Sequence, residues 1–202
     1  MKKILFTGFE PFGGERVNPS WEAVRLLPGE INGAEIIKAS VCVEYAGSGA
    51  AIRALIDRHA PDAVVCCGQA GGRKSVTPEF CAINMDHADS PDNAGETRRY
   101  APISKDGPAA YFTSAPVEKI VAAANAAGLA CAPSFHAGAY VCNHIYYTLL
   151  DIVAREKSPR MGLFIHVPYV PAQTAGRDAP SMELADIARA LETAAGVIAD
   201  NL

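Results

Sequence analysis

Residues 50–67 read Ala-Ala-Ile-Arg-Ala-Leu-Ile-Asp-Arg-His-Ala-Pro-Asp-Ala-Val-Val-Cys-Cys, and this stretch indicates the fold class. The first ten of these residues place Ile52, Leu55 and Ile56 on one face of a helix, because residues three and four apart lie side by side. The last five, Ala63–Cys67, form an uninterrupted apolar run that is typical of a strand buried on both faces. A helix followed closely by a buried strand is the repeating unit of α/β proteins.

The same alternation continues along the chain and predicts an α/β sandwich. Further strands are predicted at Lys3–Phe9, Glu35–Val43, Phe80–Met85 and Gly162–Val167, and further helices at residues 19–28, Val117–Ala127, Cys142–Arg155 and Ser181–Asp200. The segment Phe80–Met85 could also belong to a helix capped at Thr77-Pro78-Glu79, although its alternating pattern favours a strand. Residues 86–107 carry no apolar period, so we expect a long loop, which in compact domains is often functional or mobile. No repeat or linker divides the chain, and we expect residues 1–202 to form one domain.

Size and composition suit one globular domain, because half of the 202 residues are apolar and 20% are charged. The net charge of −4 argues against a nucleic-acid-binding protein, which usually presents a basic face. No apolar run is long enough to span a bilayer. The N-terminus begins like a signal peptide, but Gly8, Glu10 and Pro11 interrupt its apolar stretch too early. We therefore expect a cytoplasmic protein that binds neither nucleic acid nor membranes.

Five of the six cysteines are interpreted as small buried hydrophobic residues. Cys42, Cys66, Cys67, Cys81 and Cys131 show neither CxxC spacing nor the density of a secreted disulfide scaffold. The sequence therefore predicts neither a disulfide framework nor a zinc site.

Cys142 differs from these five because it follows a glycine-containing segment and begins an amphipathic run. The sequence there is Ala137-Gly138-Ala139-Tyr140-Val141-Cys142-Asn143-His144. At a helix N-terminus, unpaired backbone N–H groups and the helix dipole favour a thiolate over a thiol. A thiolate attacks carbonyl carbon, so we predict that Cys142 is a nucleophile with a lowered pKa.

A cysteine nucleophile needs a base, for which histidine is the usual residue. His166 interrupts an apolar strand near its C-terminal end, where reactive groups gather in open α/β sheets, although it could also be a core histidine bonded to backbone. His144 lies two residues from Cys142 and therefore on roughly the opposite side of the helix. Glu79 directly precedes an apolar strand, and it is either an exposed turn residue or the partner of a buried group.

One glycine-rich segment resembles a phosphate-binding loop in sequence. Residues 68–75 nearly match the pattern GxxxxGK[ST], but Arg73 stands where glycine is expected, and Pro78 follows where a helix should continue. We therefore expect no nucleotide site. The glycines are more simply explained by close approach of backbone amides to a small ligand.

Several motifs follow one another in a fixed order along the chain. They are Gly8-Phe9-Glu10-Pro11-Phe12-Gly13-Gly14, Asn18-Pro19-Ser20-Trp21-Glu22, Gly71-Gly72-Arg73, Thr77-Pro78-Glu79, Ala82-Ile83-Asn84, Pro91-Asp92-Asn93, Asp106-Gly107-Pro108-Ala109-Ala110-Tyr111-Phe112, Ala137-Gly138, Val141-Cys142-Asn143-His144 and Phe164-Ile165-His166-Val167-Pro168-Tyr169. Together they make the chain resemble the pyroglutamyl peptidase I (pyrrolidone-carboxylate peptidase) family over essentially its whole length.

The resemblance implies a cysteine peptidase that removes an N-terminal 5-oxoproline from small peptides. Cys142 would be the nucleophile, His166 the base and Glu79 the orienting acid. The resemblance also implies a three-layer α/β/α sandwich around a mixed, mostly parallel sheet. It further implies a homo-oligomer, generally a tetramer, that needs no metal and no cofactor.

The resemblance implies an apolar pocket for the flat, neutral lactam. The matching substrate-binding positions are Phe9, Phe12, Asn18, Gln69, Tyr140 and Val141. From the residues alone, Phe9 and Phe12 could equally be core side chains, and Asn18 is also the expected cap of the first helix. Gln69 could meet the lactam through its backbone or its side chain.

The chain departs from the family in one loop. Where the family usually reads Asp-Ala-Arg-hydrophobic-Pro-Asp-Asn, residues 87–93 read His-Ala-Asp-Ser-Pro-Asp-Asn. Asp89 thus replaces an arginine, and Ser90 replaces an apolar pocket residue. If Asp89 faces the site, its charge opposes the thiolate. If Asp89 points to solvent, Arg98 or Arg99 could replace the missing cation, although both are interpreted first as a solvated stretch of loop.

Three functions are compatible with these observations. The leading one is hydrolysis of pyroglutamyl–X bonds through a thioester. A related amide or lactam hydrolase with another acyl specificity is the second, because Asp89 and Ser90 change the pocket. The third is a non-catalytic binding protein on the same fold.

Overall fold

Residues 1–156 and 159–202 are described by the computed structural model, which contains eight strands and six helices within those ranges. The strands are β1 (Lys2–Phe9), β2 (Glu30–Ile31), β3 (Ala34–Val41), β4 (Ala63–Gln69), β5 (Thr77–Pro78), β6 (Cys81–Ile83), β7 (Ala110–Phe112) and β8 (Met161–Val167). The helices are α1 (Pro19–Leu26), α2 (Tyr45–His59), α3 (Val117–Ala126), α4 (Val141–Arg155), α5 (Pro171–Thr174) and α6 (Leu184–Asn201).

Six strands form the main sheet, in the order β2-β3-β1-β4-β8-β5. Strands β3, β1, β4 and β8 run parallel to one another. The two edge strands, β2 and β5, pair antiparallel with their neighbours. The sheet is therefore mixed and mostly parallel, as predicted. Strands β6 and β7 form a separate two-stranded antiparallel ribbon.

Helices cover both faces of this sheet. Side chains of α1, α3 and α6 pack on one face against strand residues such as Val65 and Ile165. Side chains of α2 and α4 pack on the other face against residues such as Val64 and Phe164. Successive strand residues point to opposite faces, so strands covered on both sides read as continuous apolar runs. This arrangement confirms the predicted three-layer α/β/α sandwich.

Helix α2 is longer than the sequence predicted. It begins at Tyr45 rather than at Ala50, and it includes Gly47 in its first turn. A Cβ on Gly47 would lie 2.6 Å from the Cys42 sulfur and 2.7 Å from a Glu44 carboxylate oxygen. A side chain there would displace the ends of these two side chains, and the low helix propensity of glycine concealed the true start of the helix.

Other short elements also differ from the prediction. Strand β5 was not predicted, because two residues at a sheet edge have no period and one of them is Pro78. The strand interpretation of residues 80–85 is confirmed by β6, and residues 86–107, all of which the structure describes, contain no helix or strand. Helix α6 begins at Leu184 rather than at Ser181. None of the described helices is both long and apolar enough to cross a membrane.

The C-terminal end of β1 is held directly under the first turn of α1. A Cβ on Gly8 would lie only 2.4 Å from the Trp21 Cα. The Ser20 hydroxyl oxygen accepts a hydrogen bond from the Phe9 N–H at 3.1 Å. These contacts fix the point at which the chain leaves the sheet, beside the C-terminal end of β4.

We predict that Gly8→Ala destabilises the fold, because its methyl group would collide with helix backbone rather than with a movable side chain. Overpacking of this kind costs about 1–3 kcal/mol, and more where backbone must move. Urea unfolding followed by circular dichroism measures the loss. Gly29→Ala is the control, because a Cβ there meets no atom within 4 Å. Equal losses in both variants would contradict this explanation.

Candidate active site

Helix α4 brings Cys142 to the C-terminal edge of the sheet. Tyr140 caps the helix with extended backbone and Val141 is its first residue, so Cys142 lies in the first turn. Its sulfur packs against Gly68 of β4, where a Cβ would lie 3.0 Å from Sγ. Gly68 pairs in register with His166 of β8. Paired residues of neighbouring strands point to the same face, so Cys142 and His166 meet on one side of the sheet.

A buried carboxylate orients His166. The Nδ1 of His166 lies 2.7 Å from Oε1 of Glu79, which is fully buried. Glu79 directly follows β5, whose pairing with β8 places Thr77 beside His166. The Glu79 N–H donates to the Phe164 carbonyl, and its own carbonyl accepts from the Tyr146 hydroxyl. An exposed turn glutamate and a histidine bonded only to backbone, the two alternative interpretations, are therefore wrong.

The charge of Glu79 is balanced by Arg73, a residue to which the sequence assigned no role. Its Nη1 lies 2.7 Å from Oε1 of Glu79 and also contacts the Thr77 hydroxyl. A buried charge is costly unless it is paired, and this partly exposed guanidinium provides the pairing. The signal that could have revealed it is a cation six residues before the glutamate, within a segment that fails as a phosphate-binding loop.

Burial determines the protonation of the two reactive groups. Burial, with a contribution from the Glu79 carboxylate, raises the pKa of the Cys142 thiol to about 12, although Arg73 opposes both effects. Burial also lowers the pKa of His166 below 6.5, against the opposite influence of Glu79. The predicted lowering of the Cys142 pKa is therefore wrong, because desolvation of the sulfur outweighs the helix dipole. At neutral pH the resting pair is a thiol and a neutral imidazole.

The remaining cysteines behave as structural residues. Cys66, Cys67, Cys81 and Cys131 are buried, as predicted, whereas Cys42 is only partly buried. Burial raises the pKa of each of these five thiols, so none competes as a thiolate. Among the residues that the structure describes, no three His, Cys, Asp or Glu side chains gather as a possible metal site.

A cavity of about 280 Å³ opens beside the first turn of α4. Its lining residues are Phe12, Gly13, Ala88, Asp89, Ser90, Pro91 and Tyr140. The rings of Phe12 and Tyr140 have their centroids 6.4 Å apart. Both rings pack against a core that includes the buried Phe9 and Val141. Of the six predicted pocket residues, two thus line the cavity and two belong to the core on which those two rings pack.

Asn18 is not one of the residues that line this cavity. Its Oδ1 accepts hydrogen bonds from the Ser20 N–H at 3.1 Å and the Ser20 hydroxyl at 2.8 Å. Its Nδ2 donates to the Glu10 carbonyl at 3.0 Å. Asn18 is therefore the cap of α1, as the residues alone predicted, and its polar atoms already have partners within the chain.

Gln69 points its side chain away from Cys142. It follows Gly68 along β4, so its side chain lies on the opposite face of the sheet, where Oε1 accepts from Gln173 Nε2 at 2.8 Å. The N–H of Ala70 donates to Val167 in β8, and backbone groups alternate along a strand. The N–H and carbonyl of Gln69 therefore face the β1 side, where the chain turns toward Phe12. Of its two predicted modes of contact, only the backbone remains.

The sequence of this chain matches one protein family. A family model described as pyroglutamyl peptidase matches residues 2–201. The chain belongs to the pyroglutamyl peptidase family. The pyrrolidone-carboxylate peptidase of Bacillus amyloliquefaciens is 47% identical over 195 residues, which cover 96% of this chain and 91% of that relative. The corresponding protein of Bacillus subtilis (strain 168) is 45% identical with the same coverage.

Solved structures of this pyroglutamyl peptidase family share the fold. The crystal structure of pyroglutamyl peptidase I from Bacillus amyloliquefaciens superposes with a TM-score of 0.95 at 46% identity, covering 98% of this chain and 95% of that one. Pyrrolidone carboxyl peptidase from Thermococcus litoralis gives the same TM-score at 32% identity, with coverages of 99% and 94%. The fold is therefore retained at much lower sequence identity.

One loop departs from the usual sequence of the pyroglutamyl peptidase family. Some of its charged side chains face solvent, and one reaches into the protein. Asp89, on the rim of the cavity, is 82% exposed and lies 2.9 Å from Arg99, which is also exposed. Arg98 instead reaches inward to the fully buried Asp86, with 2.8 Å between Nη1 and Oδ2. The interpretation of a solvated stretch is confirmed for Arg99 and wrong for Arg98.

We predict that Cys142 of this pyroglutamyl peptidase family member is a thiol, not a thiolate, at pH 7. A thiolate absorbs near 240 nm, so the measurement is the absorbance difference between the native chain and Cys142→Ala across pH. We expect no difference at pH 7 and a rise only at strongly alkaline pH, because burial raises the thiol pKa. A thiolate signal already present at pH 7 would show that the helix dipole prevails. Cys66→Ala is the control, because burial raises the pKa of the Cys66 thiol to about 12 as well and this variant should also show no difference at pH 7.

Proposed function

We propose that this chain is a cysteine peptidase that hydrolyses the amide bond after an N-terminal 5-oxoproline in small peptides. The observation that carries the proposal is the 2.7 Å contact between His166 and the buried Glu79, on the sheet face where the Cys142 sulfur lies. Membership of the pyroglutamyl peptidase family supports the same activity. The direct test is cleavage of a chromogenic pyroglutamyl amide, with and without a thiol-alkylating reagent.

The neutral pair acts by nucleophilic catalysis. Because Glu79 holds Nδ1 of His166, the other ring nitrogen, Nε2, takes the thiol proton as the Cys142 sulfur attacks the carbonyl carbon. Glu79 stabilises the imidazolium that forms. His166 then gives this proton to the leaving amine, and a thioester remains on Cys142. Water attacks the thioester with His166 as base, which releases 5-oxoproline and restores the thiol.

The first turn of α4 stabilises the charge that develops during attack. The N–H of Cys142 belongs to the first helical positions, which have no acceptor within the helix. Such groups, at the positive end of the helix dipole, are suited to an oxyanion formed on the attacked carbonyl. The dipole that is too weak to ionise the resting thiol therefore acts on the transition state.

The cavity beside α4 suits a small ring without charge. Phe12 and Tyr140 offer it aromatic faces, which a neutral lactam can contact without the desolvation cost of an ion. We assign the polar contacts of the lactam to the backbone N–H and carbonyl of Gln69, because these groups face the β1 side of β4, where the chain turns toward Phe12. Phe9 and Val141 support the wall from the core, and Asn18 positions the segment after β1 without touching the substrate.

Two other activities are outcomes of the same test. A related amide or lactam hydrolase with another acyl preference is favoured only by Asp89 and Ser90 on the cavity wall. It would cleave a different acyl amide faster than the pyroglutamyl one. A non-catalytic binding protein would bind the amide without cleaving it, and the buried carboxylate beside His166 argues against it, since binding alone does not require a base.

We also infer that the chain is a single domain that works in the cytoplasm as a homo-oligomer, generally a tetramer in this family. Exposed aromatic side chains support self-association, since large apolar surface on a monomer marks interaction sites. Phe112 and Phe135 are 75% and 72% exposed, and the Phe135 ring stacks on Phe80 at 5.7 Å.

Cys142, His166 and Glu79 are predicted to act as one unit. Cys142→Ala and His166→Ala should each lower kcat by about 10³-fold or more, and the double variant should lose little beyond either single one. Glu79→Gln should cost less, by about tenfold or more, because it orients the base rather than reacting. The measurement is kcat on one pyroglutamyl amide.

His59→Ala is the control for loss of a histidine, since the His59 carbonyl accepts a hydrogen bond from Lys3 at the N-terminal end of β1, the end of the sheet opposite to the site. It should leave kcat unchanged. Losses that multiply in the Cys142→Ala/His166→Ala variant would mean that the two residues do not work together.

The pH profile of kcat/KM should have its acidic limb below pH 6.5, since burial and Arg73 lower the pKa of His166. His166 is a base only when neutral, so activity is constant above its pKa and falls as the pH drops through it. Arg73→Gln removes a positive charge near the imidazole, and the limb should move to higher pH. A limb that stays in place in this variant would argue against His166 as the titrating base.

A further inference from the structure

A second buried carboxylate–histidine pair lies on the other side of α4, outside the proposed catalytic residues. Asp86 is fully buried, and its Oδ2 lies 2.8 Å from both His144 Nδ1 and Arg98 Nη1. His144 and Cys142 point to opposite sides of the helix, as their spacing predicted. Whereas Cys142 faces β4, His144 faces α2, where a Cβ on Gly49 would lie 3.3 Å from Nε2.

Stability alone does not explain this cluster. A buried ion pair is often no more stabilising than apolar residues of the same volume, because both charges lose their hydration. Here Asp86 also keeps its Oδ1 buried with no hydrogen-bond partner among the described residues. Arg98 is held from a second side by Glu96, with 2.7 Å between Nε and Oε1. A costly arrangement that is fixed so closely points to a positional role.

Tyr45 connects the cluster to the cavity. The guanidinium carbon of Arg98 lies 4.7 Å from the centroid of the buried Tyr45 ring. That ring meets His144 edge-on at 5.8 Å and Tyr140 edge-on at 5.7 Å. Tyr140 forms the cavity wall, and its hydroxyl donates to the Pro91 carbonyl at 2.9 Å. A displaced Arg98 would therefore release the ring against which the wall residue packs.

The same cluster fixes the backbone of the loop that lines the cavity. Asp86 and Ala101 exchange two backbone hydrogen bonds, of 2.7 and 3.0 Å. The Ala88 N–H donates to the Arg98 carbonyl at 3.0 Å. Residues 88–91, which line the cavity, thus belong to a loop whose two ends, at Asp86 and at Arg98, are held together by the ion pair.

We propose that Asp86, Arg98 and His144 form a positioning unit that fixes Tyr140 and residues 88–91 as the wall of the acyl pocket. The proposal rests on the proposed function for the identity of the acyl group, and it gives the three residues no contact with reacting atoms. The wall contacts the bound ring in the ground state and the transition state alike. Its loss therefore raises KM and leaves kcat nearly unchanged.

The test compares kcat and KM of Arg98→Met with those of the native chain on a chromogenic pyroglutamyl amide. We expect KM to rise about tenfold and kcat to stay within about twofold, the pattern of lost uniform binding. Arg189→Met is the control, and its KM should not change, because Arg189 pairs with Asp186 on α6, which covers the other face of the sheet. A fall in kcat at constant KM, or an equal effect of Arg189→Met, would overturn the proposal.

A double variant separates positioning from stability. Arg98→Met leaves the Asp86 carboxylate buried without its cation, whereas Asp86→Asn/Arg98→Met removes both charges and should recover thermal stability. If the unit positions the wall, KM stays raised in this stable double variant. If KM returns to the native value together with stability, the cluster has only a structural role and the proposal is wrong.

Binding measured without turnover separates this proposal from the proposed function. Calorimetry gives Kd for the same amide in Cys142→Ala and in Cys142→Ala/Arg98→Met, and we expect Kd to rise by the same factor as KM. Binding by Cys142→Ala without cleavage by the native chain would refute the peptidase function alone. An unchanged Kd in Cys142→Ala/Arg98→Met would refute the positioning unit alone. Absence of both binding and cleavage would refute both.

Discussion

The buried carboxylate of Glu79 is the constraint on which the rest of the candidate site depends. It has no solvent exposure, and a single oxygen of it lies 2.7 Å from both His166 and Arg73. A charge in such a place is tolerated only when its partners are already in position. The short edge strand β5 meets that condition, because its antiparallel pairing with β8 sets the glutamate beside the histidine. The strand pairing that completes this edge of the sheet therefore also brings the buried charge and its partners together.

The first turn of α4 then distributes three consecutive side chains in three directions. Cys142 packs on the sheet, and His144 binds Asp86 on the side of α2. Asn143, between them, hydrogen-bonds the N–H and carbonyl of Ile83 and the carbonyl of Met85. A helix terminus is normally the least constrained part of a helix. Here it is anchored to the sheet, to β6 and to the pocket loop, which is what a precisely placed nucleophile requires.

Sequence patterns predicted the layers of the fold and indicated Cys142 and His166, because these depend on local signals, whereas the role of Glu79 was implied only by the family resemblance. Apolar runs marked the buried strands, and a polar residue inside one of them marked His166. Charged residues that are paired only through tertiary contacts leave no such local signal in the sequence. Arg73 and Asp86 are charged residues in irregular segments, and nothing local tells a paired buried charge from a solvated one. The direction of Gln69, by contrast, follows from strand alternation and could have been predicted once Gly68 was placed facing Cys142.

The pKa of Cys142 shows why a local rule can fail in a folded site. The helix-terminus argument considers only the dipole and the free N–H groups, whereas desolvation of the sulfur in this partly buried residue, together with the Glu79 carboxylate, raises the pKa to about 12. The histidine is neutral for the same reason. An uncharged resting pair is stable in a buried site, because no separated charges must be held away from water. Activation therefore has to come with the substrate, and only a carbonyl placed at the terminus of α4 gives the N–H groups and the dipole a charge to stabilise. The two features therefore select at different steps, because the pocket wall decides which acyl groups bind, whereas the neutral nucleophile makes attack depend on a carbonyl at this terminus.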